Sequence, residues 1–160
     1  MKLTDILTRE RIVSHLESQE KHDVLSEIVH RGFLATGQLD GLTPEDEQRL
    51  VQILLEREKL GSTAIKEGLA IPHGRISGLQ GLSASLAIHR EGVAFGASDQ
   101  QPTRIFITLF APEHSGTEHL KALARISRLF SDGQLQRHLL ACTTKNEIYE
   151  EIAAEDARYP

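Results

Sequence analysis

Leu60-Gly61-Ser62-Thr63-Ala64-Ile65-Lys66-Glu67-Gly68-Leu69-Ala70-Ile71-Pro72-His73-Gly74 is the stretch around which the rest of the chain is organised. A loop of small residues runs into a short apolar strand, and that strand ends on a histidine held between a proline and a glycine. Pro72 fixes its own φ and pushes Ile71 into extended backbone. Gly74, lacking a side chain, leaves room for another molecule's backbone beside the His73 ring. A neutral imidazole presented this way is a nucleophile of modest basicity, able to take up a group and pass it on.

Outward from this segment, hydrophobic periodicity divides the chain into three parts. Before it, Arg11 to Leu16 is expected as a first strand. A helix from about Gln19 to Leu34 follows, with Val24, Leu25, Ile28 and Val29 on one face and Gly37 closing it. Thr43-Pro44-Glu45-Asp46 carries the marks of a helix start: a Thr cap, Pro at the first position and acid in the first turn. Leu50, Val51, Leu54 and Leu55 line that helix, which runs out near Lys59.

After His73 the period changes. Ser83 to His89 places Ala84, Leu86 and Ile88 alternately, as a strand does. Arg104 to Phe110 is almost continuously apolar, the pattern of a strand covered on both faces. Helices return in the last third. One spans about Gly116 to Phe130 with Leu120, Leu123, Ile126 and Phe130 inward. A short one behind an Asp132 cap holds Leu135, Leu139 and Leu140. A third opens on a Thr144/Glu147 capping box and contains Ile148 and Ile152. The order is strand, two helices, three or more strands, then three helices. The expected fold is α+β: a central mixed sheet between helical layers, formed by one domain over residues 1–160.

Composition excludes several function classes. A formal charge of −5 leaves no basic surface to dominate nucleic-acid binding, and 4% aromatics with no Trp disfavour base stacking. Cys142 is the lone cysteine, so no internal disulfide forms, which fits a reducing compartment. The N-terminus lacks a signal-peptide core and no apolar run approaches membrane-spanning length, so a cytoplasmic location is expected. Metal binding needs a cluster of ligands, but His114 and His119 are five apart and do not share a helical face. There is no Walker-type loop, no G-x-G-x-x-G after a strand and no nucleophile elbow. One histidine among eight is usually a surface or structural residue; the setting of His73 is what lifts it above the others.

Residues 60–74 closely resemble the active-site segment of the enzyme IIA components of the bacterial phosphotransferase system, in the mannitol/fructose/nitrogen-related branch. The wording from Arg57 to Thr63 is most similar to the nitrogen-regulatory members. The resemblance runs along most of the chain and is strongest from Glu56 to Arg75 and from Gln101 to Asp132. It implies that His73 carries a phosphoryl group. A second histidine at the start of the helix after the buried strand would face it, and His119 matches through the frame Pro112, His119, Leu120, Leu123, Arg128 and Leu129. It places Arg57 near the phosphoryl group, where a guanidinium binds two oxygens at once without losing its charge. Ser62 and Thr63 would add hydroxyls and backbone N–H groups.

The partners implied are an HPr-like phosphocarrier as donor and either a IIB component or a regulatory target as acceptor, with no cofactor. Two alternatives stand beside the regulatory reading: a sugar-specific fructose- or mannitol-type IIA, and a binding module that kept the fold without phosphorylation. Lys66 and Glu67 depart from the family's small residues at that point and add a charge pair beside the loop.

Overall fold

The structure, a computed structural model, describes residues 1–37 and 40–160. A mixed sheet lies between two helical layers. In chain order its elements are β1 (Leu7–Val13), α1 (Lys21–Gly32), α2 (Glu47–Lys59), β2 (Leu69–Ala70), β3 (His73–Ile76), β4 (Ser83–Val93), β5 (Thr103–Pro112), α3 (Glu118–Leu129), α4 (Gln134–Leu140) and α5 (Lys145–Arg158). β1 pairs parallel with β4, β4 antiparallel with β5, and β2 and β3 lie one after the other along the free edge of β5, both parallel to it.

Side-chain alternation along β5 divides the core in two. Phe106 and Phe110 pack with Val24, Leu25, Ile28, Leu50 and Leu54 from α1 and α2. Ile105, Ile107 and Leu109 point the other way, towards Ile126, Leu139, Ile148 and Ile152 of α3, α4 and α5. Burial on both faces is why this strand reads as an unbroken apolar run. The α+β architecture follows the sequence pattern.

Element ends differ from expectation in instructive ways. β1 begins at Leu7, four residues before the expected Arg11, because its register slips between Leu7 and Ile12 and Arg9 and Glu10 stay exposed, hiding any alternation. Thr43 and Asp46 form a capping box around a 3-10 turn at Pro44–Asp46 that leads into α2. Asp132 accepts the Gln134 N–H at 3.0 Å, but the cap position of α4 is Gly133, whose φ of 76° suits a residue without Cβ. α5 starts as expected, with Thr144 Oγ1 accepting the Glu147 N–H at 3.2 Å.

α3 (Glu118–Leu129) departs from expectation at Leu120. Leu120 is 64% exposed, because α3 starts at Glu118 and turns His119, Ala122, Ile126 and Leu129 to the core.

Candidate active site

His73 does not end a strand; it begins one. Pro72 has no N–H to donate, so the edge ladder breaks between β2 and β3 and resumes with His73 opposite Leu109. The Pro72 carbonyl still accepts the Leu109 N–H at 2.9 Å, which holds the break against β5. Gly74 serves a different purpose from the one its sequence context suggests. A Cβ there would sit 2.3 Å from Cγ2 of Ile53, so glycine is what lets α2 pack onto β3. That packing brings the end of α2, with Arg57, close to His73.

The His73 ring is half-buried, and its Nδ1 lies 2.8 Å from the Ile71 carbonyl oxygen. A carbonyl oxygen can only accept, so Nδ1 carries the proton and the lone pair of the neutral ring is on Nε2. Burial lowers the pKa of His73 below its ordinary 6.5, and the Arg57 charge pushes the same way. The Ile71 hydrogen bond and the Glu58 carboxylate oppose them without reversing the direction.

His119 comes from the other helical layer, in the first turn of α3. Its ring meets that of His73 edge-on, with centroids 5.4 Å apart and planes at 76°. It is 6% exposed, and its buried Nε2 has no hydrogen-bond partner among the described residues. Burial, then the neighbouring His73, then the Arg75 charge hold its pKa below the ordinary value. Both rings are therefore biased towards the neutral form, one offering a free lone pair and the other an unused buried nitrogen. His114, the nearby competitor in sequence, is exposed on the connecting loop.

The remaining expected site residues fall into two groups. Arg57 donates from Nη1 to the Gly61 carbonyl at 2.7 Å and so links the end of α2 to the loop that follows. Ser62 and Thr63 spend their hydroxyls inside the chain. Ser62 Oγ donates to the Phe95 carbonyl and accepts the Ala64 N–H at 3.0 Å. The Thr63 hydroxyl and N–H both bond the buried Glu58 carboxylate, which also pairs with Lys21 at 2.8 Å. Through its carbonyl, Thr63 accepts the Ile71 N–H at 3.1 Å, fastening the loop to the segment that carries His73.

Glu58 and Lys21 escaped the sequence reading because an acidic residue within a Glu/Arg/Lys run looks like a solvated face. Arg75 was missed as well. It follows His73 by two residues on β3 and so shares its face of the sheet, a signal that appears only once β3 is known to exist.

A groove of about 780 Å³ between α1 and α2 also carries histidines, His22 and His30. Both rings are largely exposed and each lies beside a carboxylate, His22 by Asp23 and His30 by Glu47. Neither has the buried, paired geometry of His73 and His119.

Two facing histidines, both biased by burial towards the neutral form, thus lie together at a sheet edge. Residues 5–155 match the family model for the phosphoenolpyruvate-dependent sugar phosphotransferase system, EIIA 2, and the chain belongs to that family, a phosphotransferase component. A nitrogen regulatory protein of Bradyrhizobium diazoefficiens is 36% identical, covering 98% of each chain. The fructose-specific EIIABC component of Bacillus subtilis is 31% identical over 98% of this chain, which spans 24% of that longer protein. Among solved structures, the nitrogen regulatory protein IIA-Ntr of Neisseria meningitidis superposes with a TM-score of 0.81 at 28% identity, covering 92% of this chain and 97% of that one. Among the described residues, no helix is long and apolar enough to cross a membrane.

Proposed function

We propose that this chain is a phosphocarrier whose His73 accepts a phosphoryl group from an HPr-like phosphohistidine donor. The observation that carries the reading is the Ile71 carbonyl on Nδ1, which leaves Nε2 as the attacking nitrogen. Nε2 of the neutral ring attacks phosphorus in line. The new N–P bond forms as the donor's N–P bond breaks, and the donor imidazole leaves with the electron pair of that bond. No proton has to leave His73, because positive charge gathering on its ring is met by the Nδ1–H···O=C hydrogen bond. Little other covalent machinery is needed, since such transfers rest on positioning and charge compensation. Arg57 compensates the charge of the bound group, and His119 Nε2 donates to one of its oxygens. Ser62 and Thr63 act by holding the loop.

The onward role favoured here is regulatory, in the manner of the nitrogen-related members. The support is a full-length match of 36% to a nitrogen regulatory protein. The alternative is delivery to a IIB component in sugar transport, which the fructose-specific relative supports. The chain works as one domain over 1–160, in the cytoplasm, and without a cofactor.

Incubation with a phosphorylated HPr-type donor tests the first step. An acid-labile, base-stable label is expected on wild type and not on His73→Ala; label that persists in the variant would remove the assignment. Capture with phosphorylated and unphosphorylated protein tests the second step. A non-transport partner whose affinity differs about tenfold between the two forms, a coupling of roughly 1–3 kcal/mol, is expected. Recovery of a sugar-specific IIB component alone would move the chain to the transport branch.

A further inference from the structure

The two histidines come from elements that are far apart in the chain, and His119 is fixed by no hydrogen bond at its own Nε2. Something else has to set the spacing of the rings. We propose that Arg75 is the positioning residue that does so, by tying β3 to the turn from which α3 starts. This rests on the phosphocarrier reading above.

Arg75 lies on the same face of β3 as His73 and opposite Ala111, near the end of β5. Its Nη1 reaches across that end to Ser115 Oγ at 3.1 Å and to the Glu113 carbonyl at 3.4 Å. Ser115 is the pivot of the turn: its N–H bonds the Pro112 carbonyl at 3.2 Å, and its carbonyl accepts the Glu118 N–H at 3.2 Å. His119 is the next residue. One guanidinium thus connects the strand carrying the first histidine to the residue that launches the helix carrying the second. Both bonds leave from the one nitrogen, Nη1, which has two N–H groups to give, one to the hydroxyl and one to the carbonyl. The same charge also acts on the His119 ring and helps to keep it neutral.

Arg75→Gln, Arg75→Lys and Ser115→Ala test this in two assays. In the unphosphorylated protein, NMR titration should show the His119 pKa rising in Arg75→Gln and staying close to wild type in Arg75→Lys, which keeps the charge. In transfer from a phosphorylated HPr-type donor, Arg75→Gln and Ser115→Ala should lower kcat roughly 10- to 100-fold, the scale of a small misplacement, with KM unchanged. Arg75→Lys should recover part of that loss, and in a His119→Ala background Arg75→Gln should add nothing. A kcat equal to wild type in Arg75→Gln, a rise in KM alone, or a full additional loss in the His119→Ala background would overturn the inference. The failure of wild type to accept label would count against the phosphocarrier reading instead, while the titration would still decide whether Arg75 acts on His119.

Discussion

α3 holds buried polar groups at two places, and they are treated in opposite ways. Two turns into the helix, Arg125 meets Asp156 of α5, both almost fully buried. Asp156 accepts the N–H groups of Leu3 and Thr4 at 3.0 and 2.9 Å and is gripped by Arg125 through Nε and Nη2. Arg125 also donates to the carbonyls of Asp156 and Tyr159. At the start of the same helix, His119 keeps an Nε2 with no partner among the described residues. A buried polar group left unpaired costs about 1–3 kcal/mol, whereas a fully satisfied network fixes geometry. The first arrangement staples the chain's N-terminal segment, α3 and α5 together. The second leaves a buried ring nitrogen unused among the described residues, the one proposed above to donate to an oxygen of the transferred group.

The largest effect expected from breaking this contrast is at the staple. Asp156→Ala strands a buried guanidinium and two N–H groups, so unfolding in urea should show a loss of about 3–5 kcal/mol. Phosphoryl transfer per folded molecule should be unchanged. At the open end the pattern should invert. His119→Leu removes an unsatisfied group, so stability should hold or rise, while transfer to His73 slows roughly 10- to 1,000-fold, as expected for the loss of one charge-stabilising donor. A His119→Leu protein that unfolds easily yet transfers normally would mean that His119 is a structural residue.

Arg57→Gln should have a smaller effect, slowing transfer by about tenfold, because the guanidinium is only partly buried and solvent screens its charge.

The smallest effect is on pH dependence. Both folded-state pKa values lie below the ordinary 6.5. The unfolded chain therefore binds more protons than the folded one as pH falls through and below 6.5, and stability declines in that direction. Above 6.5 both states carry neutral rings, and these residues add no slope. Stability measured from pH 7.5 down to 5 should bend downward below about 6.5, and less so in His119→Leu.

The contrast also accounts for what the sequence could disclose. Residues 60–74 were legible because the backbone chemistry of proline and glycine is local, and β5 because burial on both faces leaves an unbroken apolar run. β3 was not, since Pro72 interrupts the ladder and His-Gly-Arg-Ile has no apolar alternation. Without β3, Arg75 could not be placed beside His73. Apolar spacing alone favours Leu120 as the inward residue; the inward position belongs to His119, a polar side chain that faces the His73 ring. The purpose of Gly74 was hidden because its neighbour Ile53 lies twenty-one residues earlier, on a helix. Ser62 and Thr63 read as candidate ligands, yet the Ser62 hydroxyl is taken by Phe95, a tertiary neighbour, and the Thr63 hydroxyl by Glu58, a near neighbour whose burial the charge run conceals.

The proposed transfer to His73 depends on which of its ring nitrogens is free. Long-range ¹H–¹⁵N and ³¹P NMR on the phosphorylated protein reads this directly. The expected result is a phosphorus–nitrogen coupling at Nε2 of His73, with Nδ1 still protonated towards the Ile71 carbonyl. Phosphorus on Nδ1, or on any other residue, would contradict it.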